Sequence, residues 1–244
     1  MPYDDRRALK AVIGAIGDLQ PDEVIHIGDL MDYPTPARWS KGTAEEFAQQ
    51  VKRDNEQAKK RFLGPLRDVY DGPVYVHEGN HDLRPREYLT KYAPALAEFD
   101  QQFGIWNMLE FDAFDVRMLP EFYRVAPGWY TTHGHRGKIS LSQNAGSTAI
   151  NGAKRVYESL IMGHTHRLGL VYYTTGVGGN VSRVLGGMEV GHLMDQREAD
   201  YLKGGTGNWQ QGFGMLTVEG KYVKPEPVPI IHGRFSVDGH VWKV

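Results

Sequence analysis

Four short apolar runs in this chain each end in a knot of glycine with carboxylate, amide or imidazole side chains. Glu23-Val-Ile-His-Ile27 runs into Gly28-Asp29, and Val74-Tyr-Val-His77 into Glu78-Gly79-Asn80-His81-Asp82. Trp129-Tyr-Thr-Thr132 runs into His133-Gly134-His135, and Ser159-Leu-Ile-Met162 into Gly163-His164-Thr165-His166. Apolar runs of this length between turn signals read as buried strands. In an open α/β sheet, ligands bind beyond the carboxyl ends of the strands. Four such ends at one edge would gather Asp29, Asn80, His81, His133, His164 and His166, with the neighbouring glycines allowing sharp turns.

The segments between the runs fit that frame. Leu9, Val12, Ile13 and Ile16 predict a helix over 5–19, capped by Asp4 or Asp5. Thr43-Ala-Glu-Glu46 reads as a capping box opening a long helix to residue 69, with a stripe of Ala48, Val51, Asn55, Ala58, Phe62 and Leu66. Helices are also expected over 86–103 and 145–158, and the chain is β-rich after 168. His26 and His77 lie inside apolar strands and read as core or sheet-face histidines. A helix that precedes a strand in an α/β fold implies a strand before it, yet only Met1–Asp4 precede the first helix.

Composition narrows the chemistry. The absence of cysteine excludes a thiol nucleophile, a disulfide scaffold and an iron–sulfur cluster. The remaining donors are oxygen and nitrogen, suited to manganese, iron or zinc. Lys+Arg number 28 against 30 Asp+Glu, a net charge of -2, which gives no support to bulk electrostatic binding of nucleic acid. No apolar run approaches the roughly 18 residues of a membrane span. The opening MPYDDRRALK lacks a secretory apolar core, so a cytoplasmic location is expected. A single domain over 1–244 is expected, with a helical and irregular lid-like insertion around 85–128. Nothing in the chain speaks to oligomeric state.

The blocks resemble the calcineurin-like metallophosphoesterase family, whose pattern runs D-x-H, G-D-x-x-D, G-N-H-[DE], a His often followed by Gly, and G-H-x-H. The matches are Gly28-Asp29-Leu-Met-Asp32, Gly79-Asn-His-Asp82, His133-Gly134 and Gly163-His-Thr-His166, in order and near the family's spacing. The resemblance implies an α/β fold of two face-to-face sheets flanked by helices. It implies a pair of divalent metals, manganese foremost with iron, zinc or nickel as alternatives, that activate a hydroxide against phosphorus. Asp29 would bridge the metals, Asn80, His133 and His164 would complete one site, and His166 would turn to the other. His81 would be the general acid, with Asp82 orienting its imidazole. Asp32 is expected behind the ligands. His135, Arg136 and Arg167 are candidates to touch substrate, the arginines by gripping phosphate oxygens.

One block departs from the pattern. The D-x-H of the first strand is absent, and Met1-Pro2-Tyr3 stands where the family often continues x-P-Y. The expectation is therefore that the first strand is missing and that the chain starts just after this block. Only Asp29 and His166 are then left for the first metal, while the second keeps Asp29, Asn80, His133 and His164, so that either the family's two metals or one alone is held. The function expected is hydrolysis of a small phosphodiester or phosphomonoester, such as a nucleotide or cyclic nucleotide. The alternatives are a nuclease on DNA or RNA, and a catalytically impaired binding module.

Overall fold

A computed structural model describes residues 1–198 and 205–244. Gly204, at the head of the glycine-rich stretch before Gly214, lies outside them. The chain divides into two compact units, Met1–Leu119 and Pro120–Val244. The expected lid segment 85–128 is shared between them. Each unit mixes strands and helices, as an α/β protein should.

The first unit opens with helix α1 (Arg6–Leu19), whose start is fixed by Asp5 accepting from the backbone N–H of Arg7 and Ala8. α1 buries Leu9, Val12 and Ile13, each worth about 1.5–3 kcal/mol when removed from water. Strand β1 (Val24–His26) pairs in parallel with β2 (Val74–Val76), and β2 with β3 (Val116–Met118). The central β2 buries Val74 and Val76. His77 is buried directly after it, while the His26 ring packs 5.6 Å from Phe62.

The long helix forms only from Val51. Helix α2 (Val51–Ala58) runs through a wide π-type turn at Lys59–Leu63 and ends at Arg67. The capping box at Thr43 does not form. The Thr43 hydroxyl donates to Ser40 O, Glu46 accepts from Gly42 N, and the chain breaks at Gln49 in a left-handed conformation. The buried stripe survives at Asn55, Ala58, Phe62 and Leu66, whereas Ala48 is exposed. A further helix, Arg84–Tyr92, gives way at Pro94 to 3-10 turns over Pro94–Phe103, because proline cannot supply the next helical N–H.

The second unit is built on a five-stranded sheet of order β4-β5-β6-β8-β7. These strands are β4 (Tyr123–Ala126), β5 (Trp129–Thr132), β6 (Ser159–Met162), β7 (Leu168–Val177) and β8 (Asn180–Val190). β5, β6 and β8 are parallel, and both edge strands are antiparallel to their neighbours. β6 is buried at every position, as expected of a strand covered on both faces. The helix Ser147–Val156 packs Ile150 and Ala153 on Leu160 and Leu185. Two hairpins follow, β9 (Gly212–Glu219) with β10 (Tyr222–Pro229), and β11 (Arg234–Val237) with β12 (His240–Lys243). Among the described residues no helix is long and apolar enough to cross a membrane.

Candidate functional site

In the first unit the loops after β1 and β2 lie against each other. A Cβ on Gly79 would stand 2.1 Å from Oδ1 of Asp29 and 2.2 Å from its backbone nitrogen. Only glycine therefore allows this approach. Asp29 is left-handed, with φ 53°, and its Oδ1 accepts from the His81 N–H at 2.9 Å. Asn80 lies on the same turn, half-buried.

The carboxylates have exchanged the roles expected of them. Asp82 is wholly buried. Its Oδ1 accepts from Met31 N at 2.8 Å and its Oδ2 from Gly79 N at 2.8 Å. It staples the two loops through their backbones. The orienting contact on His81 comes instead from Asp32, whose Oδ1 lies 2.5 Å from Nδ1 of the imidazole. The family resemblance implied Asp82 for this contact, but its side chain turns instead to the Met31 and Gly79 amides. Arg84 completes the set, with Nη1 3.0 Å from Oδ2 of Asp32 and its guanidinium 4.7 Å from the Trp39 ring centre. Burial alone would raise the Asp32 pKa; the His81 hydrogen bond and the Arg84 charge outweigh it and hold the group below its ordinary value. Nε2 of His81 stands 4.0 Å from Oδ2 of Asp29.

In the second unit, β5 and β6 pair with Thr132 opposite Met162. Their next residues, His133 and Gly163-His164, thus emerge at one edge of the sheet. The His133 and His164 ring centres are 5.1 Å apart, His133 and His135 5.2 Å, and His135 and His164 6.4 Å. Gly134 has φ 103°, and a Cβ there would meet Met162 Cε at 2.2 Å. His164 and His166 are both left-handed, at φ 64° and 60°. That conformation costs a residue with a Cβ about 1–2 kcal/mol, and such strain gathers at functional sites.

The His166 ring lies edge-on to Trp209 at 4.6 Å and 5.8 Å from the His192 ring. The spacing of the sequence gave no reason to place His192 here. It arrives through an isolated bridge with Gln211. Burial pulls the His192 pKa down to about 4, and its Nδ1 accepts from Met194 N at 3.0 Å; it is a neutral imidazole. Arg167 bonds Gln143 at 2.7 Å, and the exposed Arg136 stands 3.5 Å from Glu121. Neither arginine is bound to one of the imidazoles by these contacts.

The paired imidazoles of the second unit fit a divalent metal. Two imidazoles sharing one ion with bonds of about 2.1 Å have ring centres about 5 Å apart at tetrahedral angles. The His133–His164 separation of 5.1 Å meets that condition. Imidazole donors without thiolate suit manganese, iron or zinc.

The family model for calcineurin-like phosphoesterases matches residues 2–168. The chain is 63% identical over 244 residues to the Gene 54 protein of Mycobacterium phage D29, covering 100% of this chain and 95% of that protein. It is 62% identical, with the same coverage, to the Gene 54 protein of Mycobacterium phage L5. No solved structure matches it.

Proposed function

The chain belongs to the calcineurin-like phosphoesterase family, and from that premise we propose that it hydrolyses a small phosphodiester or phosphomonoester, a nucleotide or cyclic nucleotide being the preferred class. The family is one of metal-dependent phosphoesterases, and its members use divalent metals. The observation that carries the finer reading is the His81–Asp32 pair, which joins the loop after β2 to the loop after β1, where Asp29 also accepts from the His81 N–H. A phosphoesterase needs a proton donor for its leaving oxygen, and an imidazole with Nδ1 fixed by a carboxylate is built for that task.

Asp29, Asn80, His133, His164 and His166 are the residues proposed to hold the metal, with Mn2+ the first ion to test. Bound divalent ions supply Lewis acidity and lower the pKa of water toward neutrality. His81 donates its Nε2 proton to the departing oxygen. Asp32 keeps Nδ1 protonated and offsets the imidazolium charge while the proton is held. Arg84 in turn fixes Asp32 from the other side. Arg136, Arg167 and His135 are proposed to meet the phosphate or its substituents, with their present partners Glu121 and Gln143 released on binding.

The test is hydrolysis of bis-p-nitrophenyl phosphate and of p-nitrophenyl phosphate with added Mn2+. Turnover that EDTA stops and Mn2+ restores is expected. Undiminished turnover in a variant carrying both Asn80→Ala and His164→Ala would remove the metal-dependent mechanism.

A further inference from the structure

Glu189 is an acidic residue one position from the C-terminal end of β8, with no exposed surface. The register places it between Met162 of β6 and Gly169 of β7. It therefore sits beneath the turn Gly163–Arg167, which joins those two strands. Its Oε1 accepts from the Thr165 hydroxyl at 2.5 Å. Its Oε2 accepts from the backbone N–H of Gly146. Gly146 is the N-cap of the helix Ser147–Val156, where backbone N–H groups favour a negative charge. An ionised carboxylate is costly to bury unless it is fully hydrogen-bonded. Here the partners come from one helix start and from one residue of the turn, Thr165.

Thr165 stands between His164 and His166, the two histidines held in left-handed backbone conformations. Neither conformation is one that the residue would keep by itself. The turn also makes a tight bond between Thr165 N and Gly163 O, 2.7 Å. We propose that Glu189 is a positioning residue: through the Thr165 hydroxyl it locks the 163–167 turn so that the imidazoles of His164 and His166 are pre-set to bind a divalent cation. The inference rests on reading those two histidines as metal ligands. Groups that fix metal ligands from behind commonly change affinity by about 10–100-fold when removed.

The variants are Glu189→Gln, Thr165→Val and Thr165→Ser in the full chain. Mn2+ alone is titrated into metal-free protein, and binding is followed by the electron paramagnetic resonance of the free ion. Both Glu189→Gln and Thr165→Val are expected to bind at least about tenfold more weakly. Thr165→Ser keeps the hydroxyl and should return affinity to within about twofold of wild type. Amide hydrogen exchange of the metal-free proteins provides an independent reading. Residues 163–167 should exchange faster in Glu189→Gln and Thr165→Val, with β6 unchanged. Wild-type Mn2+ affinity or unchanged exchange in a folded Thr165→Val protein overturns the inference. If Glu189→Gln does not fold, the valine and serine pair decides the matter. A wild-type chain that binds Mn2+ and shows this dependence but cleaves no phosphate ester would overturn the proposed activity and leave the role of Glu189 standing.

Discussion

Nδ1 of His81 lies 2.5 Å from Oδ1 of Asp32, and Arg84 holds the other oxygen of the same carboxylate at 3.0 Å. The three side chains form a line that ends at the proposed proton donor. A general acid matters most when the leaving oxygen is a poor one. His81→Ala is therefore expected to lose about 10²–10⁴-fold in kcat on an alkyl phosphodiester, and clearly less on a p-nitrophenyl ester. Asp32→Asn should follow the same pattern with a smaller loss. Steady-state kinetics on the two ester classes check this; equal losses on both would argue against proton donation.

Asp82 predicts a stability effect instead. Each of its oxygens accepts from a backbone N–H in a fully buried position. In Asp82→Asn one of those amides would meet an NH2 group. The expected cost is about 2–3 kcal/mol in urea unfolding, since a buried donor is left unsatisfied.

How much of this was legible beforehand depends on the range of the interaction. The four strand ends could be read because each is a local event: an apolar run followed by glycine and polar residues. The register that brings His133 beside His164 is set by the pairing of β5 with β6. The partner of His81 could not be read, because the choice between Asp32 and Asp82 turns on side-chain direction across two loops. The long helix from residue 43 was overestimated for a similar reason: Ser40 and Gly42 capture the side chains that would have capped it. Glu189 did leave a trace, a lone acid in the apolar stretch Gly-Gly-Met-Glu-Val. Sequence spacing did not reveal what it held.

Asp54 gives a pH prediction. Its side chain is 1% exposed, neither oxygen finds a hydrogen-bond donor among the described residues, and Arg53 Nε stands 3.6 Å away. Burial raises its pKa. A carboxyl whose folded pKa is raised favours folding while protonated and loses that contribution as pH rises through the folded pKa. Asp54→Asn should thus match wild type near pH 3–4 and be the more stable by pH 7. A gain of about 1 kcal/mol corresponds to a Tm rise of about 2–4 °C in a chain of this size. Thermal unfolding at the two pH values measures it, and an equal or lower Tm at pH 7 would refute it.

Gly79→Ala tests the contact of the β1 and β2 loops. The new methyl would collide with both the carboxylate and the backbone of Asp29. Overpacking of this kind costs about 1–3 kcal/mol. Because the displaced group is a proposed ligand, Mn2+ affinity should fall in the same variant. Calorimetric titration and circular dichroism together separate the two effects.

The outer half of the β7–β8 hairpin is exposed along both strands and turns at Gly178-Gly179. Ten residues of extended strand carry that tip about 30 Å from the start of β7. The chain has no thiol of its own. A single cysteine introduced at Asn180 would therefore be a unique address on the molecule. A dye or a surface tether could be fastened there at a distance from the histidines of the second unit, so that metal binding can be watched on single molecules.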